Sequence, residues 1–290
     1  MPFNLSITPP ELELLIPPDK TITQAYNITN NSDSAVTLKA TIEPWQADGT
    51  TGAVRYLTAN EVNHVLDFST FNADIQLGVP FTIPAHQKRQ IVLKIKSLPN
   101  TVGDSYQTLF LTQLDNYSLD NSGTGAIGRI GSHILVSISP AQNINYQAQI
   151  NQFHTTPIIK DIFFSSITLK GLIENKSKFY FKTDGQITIT KGGQVFKQLT
   201  LSPLNVAADQ SRQILCQTDK NISPCSLTPP FWPGIYNATL TLNPELHTAP
   251  TTITFFVFPY LLTLLIGLLF ILGFIIGKIK KQKPPQHTTS

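Results

Sequence analysis

Two stretches of the sequence, NITNNSDSAVTLKATIEPW at residues 27–45 and IENKSKFYFKTDGQITITK at residues 173–191, share one pattern. In each, apolar and polar residues alternate on both sides of a short polar segment that begins at Asn30 or Asn175. Such alternation is typical of β-strands with one buried face, and Asn and Ser are frequent in turns. Both stretches therefore predict two strands joined by an asparagine turn.

The same order of features continues downstream of each stretch. In the first copy, IPAHQKRQIVLKI follows from Ile83 and GDSYQTLFLTQL from Gly103. In the second copy, NVAADQSRQILCQ follows from Asn205 and PGIYNATLTLN from Pro233. Each pair gives a polar bend leading into a strand that contains Arg-Gln-Ile, then a glycine turn leading into a strand with a tyrosine. Matching order at unequal spacing indicates one architecture used twice, with insertions in the first copy.

The rest of the chain up to residue 258 has the same character. The 21 prolines and 16 glycines indicate many turns, and a charged fraction of 13% argues against a disordered or coiled-coil chain. About seven short strands in each of two segments predict an all-β protein with two tandem immunoglobulin-like β-sandwich domains, followed by one C-terminal transmembrane helix. We place the domains at 1–143 and 144–258, the helix at 259–277 and a basic cytoplasmic tail at 278–290.

The predicted helix rests on PYLLTLLIGLLFILGFIIG, nineteen residues without a charge. At a rise of about 1.5 Å per residue they extend about 28 Å, close to one hydrocarbon core. Aromatic residues before the helix and lysines after it are the predicted membrane-interface residues: Phe256, Phe258, Tyr260, Lys278, Lys280 and Lys281. Because positive residues stay on the cytoplasmic side, the pattern predicts a single-pass protein of the cell membrane with an extracellular N-terminal region.

The N-terminal segment MPFNLSITPPELELL lacks the basic start and apolar core of a signal peptide. Two interpretations stay open: the sequence begins downstream of a signal, or the protein is tail-anchored with its body in the cytosol. The lysine cluster favours the first.

The net charge of +3 belongs to the tail. Without the lysines at positions 278, 280, 281 and 283, 17 basic residues face 18 acidic ones. The body therefore lacks the basic surface that nucleic-acid binding requires, and we expect no nucleic-acid partner.

The two cysteines, Cys216 and Cys225, lie in CQTDKNISPC with eight residues between them. This spacing favours a local disulfide in an oxidising compartment, with two unpaired thiols as the alternative. A metal site would need more ligands than this pair supplies.

The candidate binding residues lie in the insertion of the first copy, between Trp45 and Leu77. Trp45, Asp48 and Tyr56 combine aromatic rings with a carboxylate, a combination that suits sugar or peptide ligands. The alternative is that these aromatic residues fold inward and cap the sandwich. We expect no catalytic residue, metal or cofactor, because the histidines have no HExxH spacing and GTGAIG at 123–128 precedes a strand-like segment.

Several blocks resemble the WxL-interacting cell-surface family of Gram-positive bacteria: ITPPELELLIPPDKTITQAYNITNNSDSAVTLKATI, FTIPAHQKRQIVLKIKSLP, GDSYQTLFL, GRIGSHILVSISP, GLIENKSKF and PGIYNATLTL. The resemblance implies a peptidoglycan-binding domain, then a domain that binds a host protein, then a membrane helix and a basic tail. The N-terminal part is also similar to the N-domains of pilus chaperones, which share the extended strand, the NxS turn and the strand order.

Together these observations predict a bacterial, membrane-anchored surface protein that acts in adhesion. It would be non-catalytic and would attach to cell-wall glycan, to surface or host proteins, or to both. The alternative is a chaperone-like or scaffold protein for the assembly of exported subunits. That alternative predicts an exposed hydrophobic groove along a sheet edge in the first domain.

Overall fold

The computed structural model of the chain describes residues 4–114, 128–141, 144–155, 159–161, 166–218, 221–228 and 231–281. Over these residues the protein is all-β, apart from one α-helix, α1 (Tyr260–Lys281), and two short 3₁₀ helices, Ala59–Glu61 and Pro244–Leu246. We call residues 4–141 the first half and residues 144–258 the second half.

The first half contains two mostly antiparallel sheets that face each other. The first has the order β1-β3-β8-β6 and the second has the order β2-β10-β9-β4-β5, with β7 also paired to β4. The strands are β1 (Leu5–Thr8), β2 (Glu11–Ile16), β3 (Thr21–Asn30), β4 (Val36–Asp48), β5 (Ala53–Tyr56), β6 (Leu66–Thr70), β7 (Pro80–Ile83), β8 (Lys88–Ser97), β9 (Gly103–Gln113) and β10 (Arg129–Ile138).

The second half has a five-stranded sheet, β12-β24-β23-β16-β17, a three-stranded sheet, β11-β14-β19, and three two-stranded pairs, β13-β22, β15-β18 and β20-β21. The strands are β11 (Ala148–His154), β12 (Ile159–Lys160), β13 (Ile167–Thr168), β14 (Lys170–Asn175), β15 (Phe181–Lys182), β16 (Gly185–Lys191), β17 (Gln194–Thr200), β18 (Asn205–Val206), β19 (Ser211–Gln213), β20 (Cys216–Gln217), β21 (Ile222–Ser223), β22 (Ser226–Leu227), β23 (Gly234–Leu242) and β24 (Thr251–Val257).

Each half has its own hydrophobic core, formed by the inward-facing residues of alternating strands. Ile28, Leu109 and Val136 are buried in the first core, and Ile187 and Phe255 are buried in the second. The predicted domain boundary lies between residues 143 and 144, and residues 142–143 lie outside the described residues. The division into two domains therefore stays a prediction.

The two asparagine turns are built from the same hydrogen bonds. Asn30 and Asn175 are fully buried at the ends of β3 and β14, and each side-chain oxygen accepts the backbone N–H of the serine two residues later, at 3.0 and 2.8 Å. Each backbone N–H donates to a glutamine carbonyl, that of Gln87 or Gln210, at 2.9 and 2.8 Å. The repeated sequence pattern therefore corresponds to one turn used in both halves.

Those glutamines follow matching bends. His86 and Asp209 both have a φ of 56°. After each, the glutamine N–H donates to the carbonyl three residues back, at 3.2 Å in both cases. The bend returns the chain toward the asparagine turn, so each buried asparagine amide can reach carbonyl oxygens of the segment before the bend.

A disulfide joins Cys216 to Cys225 over a sequence separation of nine residues. Both residues are buried in the core of the second half. The bond therefore fixes a segment that carries only two-residue strands, β20, β21 and β22.

Replacing both cysteines with alanine should lower the free energy of unfolding by about 2–3 kcal/mol, because a closed loop of this length restricts the unfolded chain by about that amount. Denaturant unfolding of the oxidised wild type and the double variant measures the difference. A loss below about 1 kcal/mol would contradict the expectation.

The membrane-spanning prediction for residues 259–277 is wrong. Among the helices of the described residues, none is both long and apolar enough to cross a membrane.

The membrane-interface roles assigned to residues beside that segment stay a prediction. The ring centres of Phe256 and Phe258 lie 6.0 Å apart in a stacked arrangement, and Tyr260 begins α1. The ammonium of Lys278 lies 5.9 Å from the centre of the Phe274 ring. The side chains of Lys280 and Lys281 and the tail at 282–290 lie outside the described residues.

Candidate functional site

Strand β10 has a partner strand along only part of one side. It pairs with β9 along its whole length, from Arg129 to Ile138, but β2 covers only the part from His133 to Ile138. The reason is that the chain crosses from the other sheet into this one at Pro9 and Pro10, between β1 and β2. Within the part of the chain that the structure describes, Arg129–Ser132 therefore has a neighbouring strand on one side alone.

The uncovered segment presents backbone hydrogen-bonding groups outward. Gln113 N–H donates to Gly128 O at 2.9 Å, so even-numbered residues of β10 bond to β9 and odd-numbered ones face away from it. His133 follows this rule, because its N–H donates to Pro10 O at 3.1 Å. The next bond of this ladder would run from the N–H of residue 10 to the carbonyl oxygen of Gly131, but proline has no N–H. The backbone groups of Arg129 and Gly131 are therefore available for another strand.

Apolar side chains line the inner side of this edge. Strand β1 of the opposite sheet lies against β10. Leu5 on β1 and Ile130 on β10 are partly buried against the first core, while Ile7 and Ile134 are fully part of it. The uncovered edge therefore borders an apolar seam between the two sheets.

The outer side of the same edge carries a cation and an aromatic ring. The guanidinium carbon of Arg129 lies 3.3 Å from the centre of the Phe110 ring, and Arg129 also forms an ion pair with Glu43. A Cβ at Gly131 would lie 2.9 Å from the Phe110 ring, so a residue without a side chain is needed under that ring. We call Arg129–Ser132, with Leu5, Ile7 and Phe110, the open edge.

A cleft separates the outer face of the second sheet from the second half, and Asp104 bridges it. Its carboxylate accepts hydrogen bonds from Tyr106 and Ser137, each at 2.6 Å, and from the backbone N–H of Tyr180 in the second half. The Tyr106 hydroxyl in turn accepts the N–H of Ala208 at 3.1 Å. Burial raises the pKa of Asp104, although these hydrogen bonds act in the opposite direction.

A second bridge is ionic. The Lys182 ammonium lies 2.8 Å from Glu13, and the amide of Asn205 donates to Glu11 at 3.3 Å and to Glu13 at 3.4 Å. Burial and the neighbouring Glu13 raise the pKa of Glu11. Burial is the largest single effect on Glu13 and acts to raise its pKa, but the Lys182 ammonium and the hydrogen bonds with Glu11 and Asn205 together lower it.

A third bridge is the β4–β5 hairpin. Its tip reaches β19 of the second half, where Gln213 N–H donates to Thr50 O at 2.9 Å. Between the bridges lies a cavity of about 330 Å³ that Trp45, Tyr106, His133 and Arg212 help to line. We call it the cleft cavity. Trp45 stacks on Tyr106 at 4.9 Å and meets His133 edge-on at 5.3 Å, so one wall is aromatic.

The structure brings together only part of the predicted binding trio. Trp45 and Tyr56 are cross-strand partners on β4 and β5, and Trp45 lines the cleft cavity. Tyr56 is 37% exposed and contacts Phe110 at 5.2 Å, nearer the open edge. Asp48 is exposed at the end of β4 and does not line the cavity. The role of these residues in binding stays a prediction.

The residues that connect the two halves carry no distinguishing sequence pattern. Asp104, Tyr106, Asn205 and Arg212 lie in ordinary strand sequence, and only their contacts across the cleft distinguish them. Among the described residues, no group of three or more His, Cys, Asp or Glu side chains could hold a metal ion. Of the GTGAIG motif, 123–127 lie outside the described residues.

No protein-family model matches the sequence, and a search of curated proteins gives no match. The chain is similar in structure to a class 5 fimbriae chaperone, CfaA, with 12% identity and a TM-score of 0.43, covering 88% of this chain and 100% of that one. It is also similar to the E. coli chaperone DraB, with 12% identity, a TM-score of 0.37 and coverage of 88% and 95%. A Salmonella enterica SafA pilin–SafB chaperone structure matches with 9% identity, a TM-score of 0.40 and coverage of 88% and 97%.

These comparisons correct the resemblance to the WxL-interacting cell-surface family. The similar structures are fimbrial chaperones, and no model of that family matches the sequence. The main functional prediction, a membrane-anchored adhesion protein of the cell surface, is therefore wrong, and so are its cell-wall glycan ligand, its peptidoglycan-binding domain and its single-pass localisation.

Proposed function

We propose that this chain is a non-catalytic, chaperone-like or scaffold protein that holds an extended segment of a partner subunit along the open edge. In this proposal both halves are immunoglobulin-like sandwiches, and the first half supplies the binding strand. The observation that carries the proposal is the uncovered stretch Arg129–Ser132, whose outward backbone groups lie beside an apolar seam.

The backbone supplies affinity that does not depend on the partner's sequence. Arg129 and Gly131 offer N–H and C=O groups at the spacing of a sheet ladder, and an added strand would complete the ladder that β2 begins at His133. Natural proteins usually protect such edges, because an unpaired edge binds other strands. An edge left uncovered on a long, well-packed strand is therefore a candidate binding surface.

The side chains supply selectivity. Alternate residues of an added strand would point into the seam between Leu5 and Ile130, which favours a partner segment with apolar residues at every second position. The residues between them would face the side of Phe110 and Arg129, whose guanidinium is already paired with Glu43, so polar residues are favoured there. The expected partner segment is thus extended, with alternating apolar and polar residues.

The test uses two substitutions at one position. Arg129→Pro removes the outward N–H and keeps the pairing with β9, and proline is tolerated as the first residue of an edge strand. Arg129→Ala removes the same side chain but keeps the N–H, so it is the matched control. A photo-crosslinking amino acid at Leu5, a partly exposed position of β1 beside the seam, captures the partner in cells, and mass spectrometry identifies the bound segment.

A synthetic peptide of that segment is then titrated against the three proteins by fluorescence polarisation. We expect Arg129→Pro to weaken binding about tenfold or more relative to Arg129→Ala, which corresponds to about 1.4 kcal/mol for a lost hydrogen bond and a poorer fit. Equal affinity of the two variants would refute strand addition at this edge.

A further inference from the structure

The cleft cavity contains a guanidinium without a counter-ion. The sequence has four arginines, and three of them, Arg55, Arg89 and Arg129, form ion pairs with Glu61, Asp74 and Glu43. The fourth, Arg212 on β19, has no hydrogen-bond acceptor or carboxylate partner among the described residues. Burial lowers the pKa of Arg212, so its charge is partly removed from water and is not compensated there.

The fold makes room for this guanidinium. A Cβ at Gly52 would lie 1.9 Å from an Nη atom of Arg212, and the φ of Gly52 is +88°. A residue with a side chain at position 52 would therefore displace Arg212 and strain the hairpin. The tip of the β4–β5 hairpin thus leaves space for the arginine head group at the wall of the cavity.

A second group in the cavity also lacks a partner. The side-chain oxygen of Asn205 is buried and has no hydrogen-bond donor among the described residues, since the amide nitrogen of the same side chain is directed to Glu11 and Glu13. A buried acceptor without a donor is costly, so a ligand N–H or O–H would be stabilised there. Asn205 and Arg212 both line the cleft cavity.

From these groups we propose that the cleft cavity binds a small organic monocarboxylate that carries an N–H donor and an apolar or aromatic body. The carboxylate pairs with Arg212, whose planar fork matches two carboxylate oxygens. The N–H donates to Asn205, and the body packs against Trp45 and Leu204. A single cation with Glu11 on the same wall disfavours phosphates, which carry about two charges.

This proposal is independent of strand addition at the open edge. The cavity lies between the two halves and shares no lining residue with Arg129–Ser132. Its volume of about 330 Å³ is at the lower end for ligand pockets, which favours a free small molecule over a polypeptide segment. The Arg129→Pro variant should therefore bind the small ligand as the wild type does.

The test probe is N-acetyl-phenylalanine, titrated against the full chain by saturation-transfer NMR. For a ligand of about fifteen non-hydrogen atoms we expect a dissociation constant of the order of 0.5 mM. N-acetyl-phenylalanine amide, which has no carboxylate, should bind at least tenfold more weakly. Arg212→Gln should weaken binding of the acid at least tenfold, whereas Arg89→Gln, which removes an exposed arginine from the other sheet, should leave it unchanged.

A second variant tests the proposal in case the Arg212→Gln protein does not fold. Ala47→Phe fills the cavity from the first half and leaves Arg212 in place, so it should also abolish binding. The proposal would be overturned if the wild type does not bind N-acetyl-phenylalanine at a ligand concentration about 10 times the expected dissociation constant. Equal affinity for the acid and the amide would also overturn it. So would an unchanged affinity for the acid in folded Arg212→Gln or Ala47→Phe.

Discussion

Replacing Asn30 with alanine should lower the free energy of unfolding by about 3–5 kcal/mol. The Asn30 amide nitrogen donates to the carbonyls of Ser34, Ile83 and Pro84 at 2.8–3.1 Å, and its oxygen accepts the N–H of Ser32. Because Asn30 is 0% exposed, water cannot replace these bonds without opening the turn. Each unsatisfied buried group costs about 1–3 kcal/mol, and several are lost together.

The neighbouring Asn31 is the matched control. It lies in the same turn with an exposed side chain, so Asn31→Ala should change stability by less than about 0.5 kcal/mol. Denaturant unfolding followed by circular dichroism compares the two variants. Asn175→Ala should repeat the Asn30 result in the second half, because its amide bonds Phe179 O and Val206 O at 2.9 and 3.0 Å. Equal stability of Asn30→Ala and Asn31→Ala would contradict this account of the turn.

The asparagine turns are the part of the fold that the sequence predicts best. The alternation of apolar and polar residues indicates which strand residues face a core, and an Asn followed two positions later by Ser is a local pattern. Asn30 bonds to Ser32 and Asn175 bonds to Ser177, so the turn can be inferred without any distant contact. The all-β prediction is confirmed for the same reason, since strand periodicity is a local property.

The open edge depends on an arrangement that alternation does not specify. The part of β10 that β2 covers is set by where the chain crosses between sheets, at Pro9 and Pro10. Proline there indicates a break in pairing, but the sequence does not say which distant strand loses its neighbour. The chaperone-like alternative predicted an apolar groove at a sheet edge without naming the strand.

The cleft could not be predicted because its contacts join residues far apart in the chain. Asp104 and Tyr180 are 76 positions apart, and Asn205 and Glu11 are 194 apart. Arg212 looks like an ordinary strand residue in SRQIL, beside the equivalent KRQIV of the first copy. Arg89 of that copy is ion-paired on the surface, so the repeat itself gives no sign that its counterpart faces a cavity.

Asp104→Ala should loosen the connection between the halves and lower the free energy of unfolding by about 2–4 kcal/mol. The change leaves Tyr106, Ser137 and the backbone N–H of Tyr180 without their acceptor. Asp104→Asn is the control, because its oxygen can accept from Tyr106 and Tyr180 while its amide donates to the Ser137 hydroxyl. Small-angle X-ray scattering should show a larger radius of gyration for the alanine variant alone.

The difference in unfolding free energy between the wild type and Asp104→Asn should depend on pH, and this dependence shows whether the Asp104 carboxylate is a buried charge. Burial raises the folded-state pKa of Asp104 above its usual value near 3.8, so the folded protein binds this proton more tightly than the unfolded chain. The stability of the wild type relative to Asp104→Asn is then greatest at low pH and falls as the pH rises through the raised pKa. Urea unfolding of both proteins between pH 3 and 8 measures this difference at each pH. A difference that stays constant, or that grows with pH, would mean that the carboxylate is not held in a desolvated cleft, and the Asp104 bridge would have to be explained without a buried charge.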